Sequence, residues 1–375
     1  MSNSLWVLAE LIIYVLALLP LFTSIKYKLN NKDHWYIKSN NSASAYILYI
    51  LYIAIFSIYD KSGGDFFHYQ EQVAELYHSP GLGTGLEDVY VWLISKVGFS
   101  YYLFRICVWG LATYILNKIL KYLNLNNSVS IWCFLLIALV NYSYARVSLG
   151  IVLFLYGYIR VVKHLYKGDT LYGLLLVFIS LFFHKTIIFL AVLSIFSFIR
   201  ISRTIFLFAL LVAPIAIKLM NLYVSELFWY IEAGSAEARY LSAEQEGAGI
   251  ASLIIDSCRF IPILYFILKF SKEILYRDKS CSHFKLYPNY IERLFTLSLV
   301  IIYVSTILSY LDIGHSAISY RIRNMALFPM TILVAYYLNN NKITASSIIA
   351  LIILFLSNIL YFLYMFYLKK LGLGI

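Results

Sequence analysis

About twelve apolar runs separated by short polar segments leave this chain few ways to fold. They lie near 5 to 25, 43 to 59, 100 to 117, 129 to 141, 147 to 162, 170 to 183, 186 to 199, 204 to 220, 250 to 268, 294 to 311, 324 to 338 and 345 to 368. An apolar stretch of about 20 residues crosses a bilayer as a helix, because a helix pairs its own backbone groups. Only 13% of the residues are charged and 62% are hydrophobic, whereas soluble domains carry about 25% charged residues. The expectation is an all-α polytopic integral membrane protein with about twelve transmembrane helices. Residues 1–375 would form a single transmembrane domain, with outer loops at 60–100, 221–249 and 311–323. The first run contains Glu10 and Pro20 and no basic lead-in, so it reads as a retained helix and not as a cleaved signal. Cys107, Cys133, Cys258 and Cys281 lack metal-ligand spacing, which argues against a zinc site or a disulfide framework.

Lys and Arg set the expected orientation. If 26–42 is cytoplasmic, so are 118–128, 160–169, 200–203, 269–293 and 339–344, and these segments hold more than half of the Lys and Arg. Most acids fall in the opposite loops. The net charge of +11 is then a topology signal and an attraction to anionic membrane lipid. No basic-aromatic RNA motif appears, and no nucleic-acid partner is expected.

The exceptions to that bias carry the functional reading. Arg146, Lys185, Arg239, Arg259, Arg321 and Arg323 lie at the edge where basic residues are disfavoured. Arginine suits phosphate because its rigid fork makes paired, charge-assisted hydrogen bonds, and Arg321-Ile322-Arg323 offers two forks close together. Each arginine alone reads equally well as snorkelling to lipid phosphate or pairing with Asp256, Asp312 or a nearby glutamate. The cluster as a whole favours an anionic ligand. His184 lies between two short apolar runs; it reads as a group that switches protonation or donates to a leaving oxygen, or as a cap on a helix turn. The loop after the second run contains Asp65, His68, Tyr69, Glu71, Glu87 and Asp88. Carboxylates beside aromatic rings suit a sugar, the former meeting hydroxyls and the latter stacking on the apolar ring face; an ordinary acidic loop is the alternative. The glycines of 81–85 have no P-loop spacing.

Four short motifs, in order, resemble a known family. Gly64-Asp65-Phe-Phe-His-Tyr69, the Glu87 before an apolar run, Arg146-Val-Ser-Leu-Gly150 and Phe182-Phe183-His184-Lys185-Thr186 are similar to the pattern of Wzy-type O-antigen and EpsG-type exopolysaccharide polymerases. The resemblance covers roughly the first 200 residues, and beyond them only the arginines. Val147 stands where a Gln is common, and Asp88 where a Pro often follows the glutamate.

The resemblance implies a GT-C-like, metal-independent and cofactor-free glycosyltransferase in a bacterial inner membrane, multi-pass, with its active site facing the periplasm. Its partners would be a polyprenyl-diphosphate-linked oligosaccharide donor and acceptor and membrane lipid, and it admits a chain-length regulator. The growing glycan would pass to the non-reducing end of a new lipid-linked repeat unit. On that reading Asp65, His184 and Arg146 are catalytic; Arg146, Arg321, Arg323, Arg259 and Lys185 bind diphosphate; Tyr69, Glu87, Tyr144 and Tyr320 bind glycan. An O-antigen ligase shares the lipid-diphosphate chemistry but usually shows a large late loop, and the late loops here are short. A flippase or transporter would keep its charges at the midplane and not at one edge.

Overall fold

In the computed structural model the described residues are 101–125, 145–163, 169–184, 186–199, 261–269, 289–309, 316–340 and 343–363, a strand pair at 25–28 and 34–37, and scattered positions (8–9, 11–16, 19, 70–71, 74–75, 96–98, 133, 208, 212, 215 and 219). The strands are β1 (Ile25–Lys28) and β2 (His34–Ile37), antiparallel with Ile25 opposite Ile37 and Lys28 opposite His34. The helices are α1 (Tyr101–Tyr122), α2 (Ala145–Lys163), α3 (Asp169–Ser180), α4 (Thr186–Phe196), α5 (Asn289–Ser309), α6 (Ser316–Asn340) and α7 (Ala345–Leu363).

Two helices are apolar on every side. In α2 the run Ser148 to Leu155 is buried throughout, and in α6 so is Asn324 to Ala335. A helix buried all round belongs at the centre of a bundle. Around α2 stand α1, α3, α4, α5 and α6, and α5 lies along α6. The closest approach is between α2 and α3. A Cβ added to Gly157 would lie 2.5 Å from the Gly173 carbonyl oxygen, and one added to Gly173 would lie 2.8 Å from that of Gly157. Two glycines let the backbones touch where any side chain would part them.

Local signals set the helix ends. Asn124 adopts φ 55° after α1, a left-handed conformation that Asn tolerates, and Leu125 N–H closes the helix onto the Leu120 carbonyl at 2.8 Å. Asp169 opens α3, and Arg160 and Lys163 close α2, each matching the helix dipole.

Twelve transmembrane helices, and the GT-C-like architecture built on them, are not what the described residues form. Among the described residues one helix, Tyr102–Tyr122, is long and apolar enough to cross a membrane. The reason is length and charge. The 12 residues of α3 and 11 of α4 rise about 16–18 Å, short of a hydrocarbon core of about 30 Å, and the apolar stretch of α7, Ala345–Leu360, is likewise one of the shorter ones. The longer helices interrupt their apolar sequence: α2 with Arg146, Arg160 and Lys163, α5 with Glu292 and Arg293, α6 with Arg321, Arg323 and three asparagines. The multi-pass inner-membrane location with a periplasm-facing active site is corrected with it, because it rested on that span count. The basic segment 26–42, read as a loop, contains β1 and β2. The run expected at 324–338 begins instead at Ser316.

Gly157→Ala is expected to force α2 and α3 apart and cost about 1–3 kcal/mol, read as a lower thermal midpoint. Gly110→Ala, whose added Cβ meets nothing within 4 Å, is expected to leave stability unchanged or raise it by about 0.5–1 kcal/mol.

Candidate functional site

Polar groups gather at the two ends of the bundle, and the ends differ. At the C-terminal end of α2, Arg160 pairs with Asp169 at the start of α3 and donates to the Tyr156 hydroxyl at 2.6 Å. The Tyr122 hydroxyl donates to the second Asp169 oxygen at 2.7 Å, and Lys163 donates to the Tyr122 carbonyl at 2.8 Å. The guanidinium also lies over the rings of Tyr122, Tyr156 and Tyr172, 4.7, 4.6 and 4.9 Å from their centroids, where ring quadrupoles attract it. Burial works against the Arg160 charge, but the Tyr156 hydrogen bond and the electrostatic influence of Tyr156, the Asp169 carboxylate and Tyr122 outweigh it and hold the proton more tightly. Lys163 shifts the other way, lowered by burial and by Arg160 against the pull of Asp169.

Beside this cluster Arg293 of α5 donates to the Ser197 carbonyl at 2.9 Å and stands over Phe198 at 5.3 Å. Ser197 Oγ donates to the Ser194 carbonyl, so the Tyr158 hydroxyl, 2.5 Å away, must be the donor to Ser197. Burial pushes that phenol up to about 12, against the Ser197 hydrogen bond and the Arg293 charge. These cations are engaged by the chain itself. Their arrangement holds α1, α2, α3, α4 and α5 together and has the character of a clasp.

The opposite end follows from helix direction. Lys163 stands over Tyr290 at 5.9 Å, so α5 starts where α2 stops. α6 follows α5 after only six residues and packs along it, so the two run antiparallel and α6 ends where α5 starts. The Tyr158–Ser197 contact runs α4 parallel to α2. The N-terminal turns of α2, α4 and α6 therefore lie side by side at one end. Each exposes backbone N–H groups and a positive dipole end there.

Several of the predicted residues fall at this end. Arg146 is the second residue of α2; Tyr320, Arg321 and Arg323 lie in the first turns of α6. His184 sits in the turn between α3 and α4, beside α2: a Cβ on Gly150 would meet Phe183 Cβ at 3.1 Å and Ile187 Cγ1 at 3.0 Å. The His184 Nδ1 lies 2.9 Å from Thr186 Oγ1 and accepts the Thr186 N–H at 3.2 Å. A backbone N–H can only donate, so Nδ1 carries its lone pair and the ring proton is on Nε2. The cap reading of His184 is thus realised in its geometry. Asp65, Tyr69, Glu87, Tyr144, Lys185 and Arg259 lie outside the described residues.

Reading charges along the sequence passes over Asn324, one residue beyond Arg323. It is 6% exposed, and neither its carboxamide oxygen nor its nitrogen meets a hydrogen-bond partner. The signal available was a carboxamide inside an apolar run, directly after Arg-Ile-Arg.

An end of a bundle that gathers helix N-termini and arginine positions suits a ligand rich in phosphate. A family model described as the EpsG family matches residues 59–372. The chain belongs to the EpsG family. That match runs well past the first 200 residues that carried the sequence resemblance, and it spans α1 through α7. No curated protein and no solved structure matches the chain. EpsG-family membership supports a general role in O-antigen or exopolysaccharide polymerisation, a transferase-type activity on polyprenyl-linked glycans.

His184→Ala is expected to lose the cap on Thr186 and about 1 kcal/mol of stability, whereas His184→Asn keeps a side-chain acceptor and most of that stability. If the ring proton is what the reaction needs, both variants lose polymerisation alike although only the first melts lower. Thermal melts and polymer gels on the same preparations separate the two roles.

Proposed function

We propose that this EpsG-family protein joins surface-polysaccharide repeat units, moving the growing glycan from polyprenyl diphosphate to the non-reducing end of a new polyprenyl-diphosphate-linked unit. The observation that carries the proposal is helix polarity: the N-terminal turns of α2, α4 and α6, with Arg146, His184, Arg321 and Arg323, share one end of the bundle.

In this reaction an acceptor hydroxyl oxygen forms a bond to the anomeric carbon of the donor sugar. The bond from that carbon to the diphosphate oxygen breaks, and its electron pair leaves with the diphosphate. Charge therefore grows on the leaving oxygens, where preorganised donors lower the barrier most. Arg146, Arg321 and Arg323 take that charge in our reading, with Arg259 and Lys185 assisting, and three helix dipoles add to them. His184, held at the start of α4 through Thr186, donates to a leaving oxygen in this reading. Asp65 takes the proton of the attacking hydroxyl. Tyr69, Glu87, Tyr144 and Tyr320 line the path of the glycan. The polyprenyl chain needs apolar surface, and Leu171, Phe178, Phe189 and Ile195 of α3 and α4 are exposed.

Arg146→Ala and Arg321→Ala are each expected to abolish long polymer and leave single repeat units, at unchanged protein level. Asp169→Asn, at the other end, is expected to lower stability and leave polymer length unchanged in whatever protein remains folded. Gels of surface polysaccharide with matched immunoblots check this, and normal ladders in both arginine variants would overturn the assignment.

A further inference from the structure

Several polar side chains in these helices are answered by their own chain. Asn339 donates to the Ala335 carbonyl at 2.8 Å, and Asn358 to the Tyr14 hydroxyl at 3.1 Å. Thr296, Ser298 and Thr331 donate to the carbonyls one turn back. Asn324 does none of this. Among the described residues it is the carboxamide whose oxygen and nitrogen are both buried without a partner, an arrangement native structures rarely tolerate without a functional reason.

Its depth in the bundle follows from its place in α6. Asn324 lies one turn further along the helix than Arg321 and directly after Arg323, away from the helix N-terminus. It therefore lies one layer beneath the arginine positions of α6. Ile322 and Met325 beside it are buried as well.

The chemistry of the amide selects its ligand. A carboxamide offers two N–H donors and an acceptor oxygen. A diphosphate only accepts, so it would satisfy Nδ2 and leave Oδ1 stranded. Neighbouring hydroxyls of a sugar ring donate and accept together, and satisfy both atoms. We propose that Asn324 is a substrate-contacting residue that receives a hydroxyl pair of the sugar directly attached to the diphosphate, and so selects for a glycan-bearing carrier over the bare one. This rests on the polymerase reading above. A sugar next to the diphosphate is the part of the donor that reaches one layer below the arginines.

The test uses the full-length chain in detergent and two probes: polyprenyl diphosphate carrying one repeat unit, and polyprenyl diphosphate alone. Thermal shift and titration are read for the wild type, Asn324→Leu and Asn324→Ala. Leu has nearly the same shape as Asn and removes the stranded polar atoms, so unliganded Asn324→Leu is expected to melt at or above the wild type. Its apparent Kd for the glycan-bearing probe is expected to rise roughly tenfold or more, with Kd for the bare carrier unchanged. Asn324→Ala is expected to show the same selective loss. Wild-type affinity for the glycan-bearing probe in either variant overturns the inference and leaves the polymerase reading standing. So does a marked fall in the unliganded melting point of Asn324→Leu, which would mean that the amide is paired within the protein. Failure of the wild type to bind either probe brings down the polymerase reading, and this inference with it.

Discussion

The contact between Gly157 and Gly173 is the constraint on which the bundle depends. Because neither residue has a side chain, α2 and α3 meet backbone to backbone, and the start of α3 comes within reach of the end of α2. That brings Asp169 to Arg160. The pair alone would be a weak source of stability, since desolvating two charges offsets much of their attraction. The rings of Tyr122, Tyr156 and Tyr172 and the Tyr122 hydroxyl change the balance by partnering both charges as they leave water. With α3 fixed against α2, the turn at 181–184 has to carry the chain across the N-terminal end of α2, and α4 returns parallel to it.

Electrostatic asymmetry is the consequence. At one end, Arg160 and Lys163 near the C-terminus of α2 and Arg293 in the first turns of α5 are engaged by carboxylate, carbonyl and aromatic partners, so they hold the fold. At the other, helix N-termini and arginine positions add like signs. Like signs gathered in one place cost stability unless something of opposite sign arrives. On the proposed reading a diphosphate-linked glycan supplies the charge for the arginines and the hydroxyls for Asn324, so the two proposals fit one substrate.

Much of the architecture was legible as periodic apolar sequence. The runs at 147–162, 170–183, 186–199 and 294–311 became α2, α3, α4 and α5 within a few residues at most ends. The number of membrane spans was not, because hydropathy cannot distinguish a side chain facing lipid from one facing another helix; α2 and α6 spend their apolar residues on each other and on their neighbours. The start of α6 was hidden for a related reason. Arg321 and Arg323 ended the apolar run, but arginine is a good helix former, and the helix passes through them to Ser316. The β1–β2 pair was masked by reading its lysines as loop charge. At the site, the positions of Arg146, His184, Arg321 and Arg323 could be named from spacing, yet their meeting at one end depends on helix direction. Asn324 stayed out of view because an amide in an apolar run gives no sign of whether it is paired.

The central claim is that the first turns of α2 and α6 share one end of the bundle, and distance measurement tests it most directly. Spin labels would be placed at 146 and 321, and in a second sample at 146 and 293, in a background lacking Cys107, Cys133, Cys258 and Cys281. The account predicts that the first pair is clearly the closer, with the second separated by about the length of α2, roughly 28 Å. A 146–321 separation equal to or greater than the 146–293 separation would contradict it.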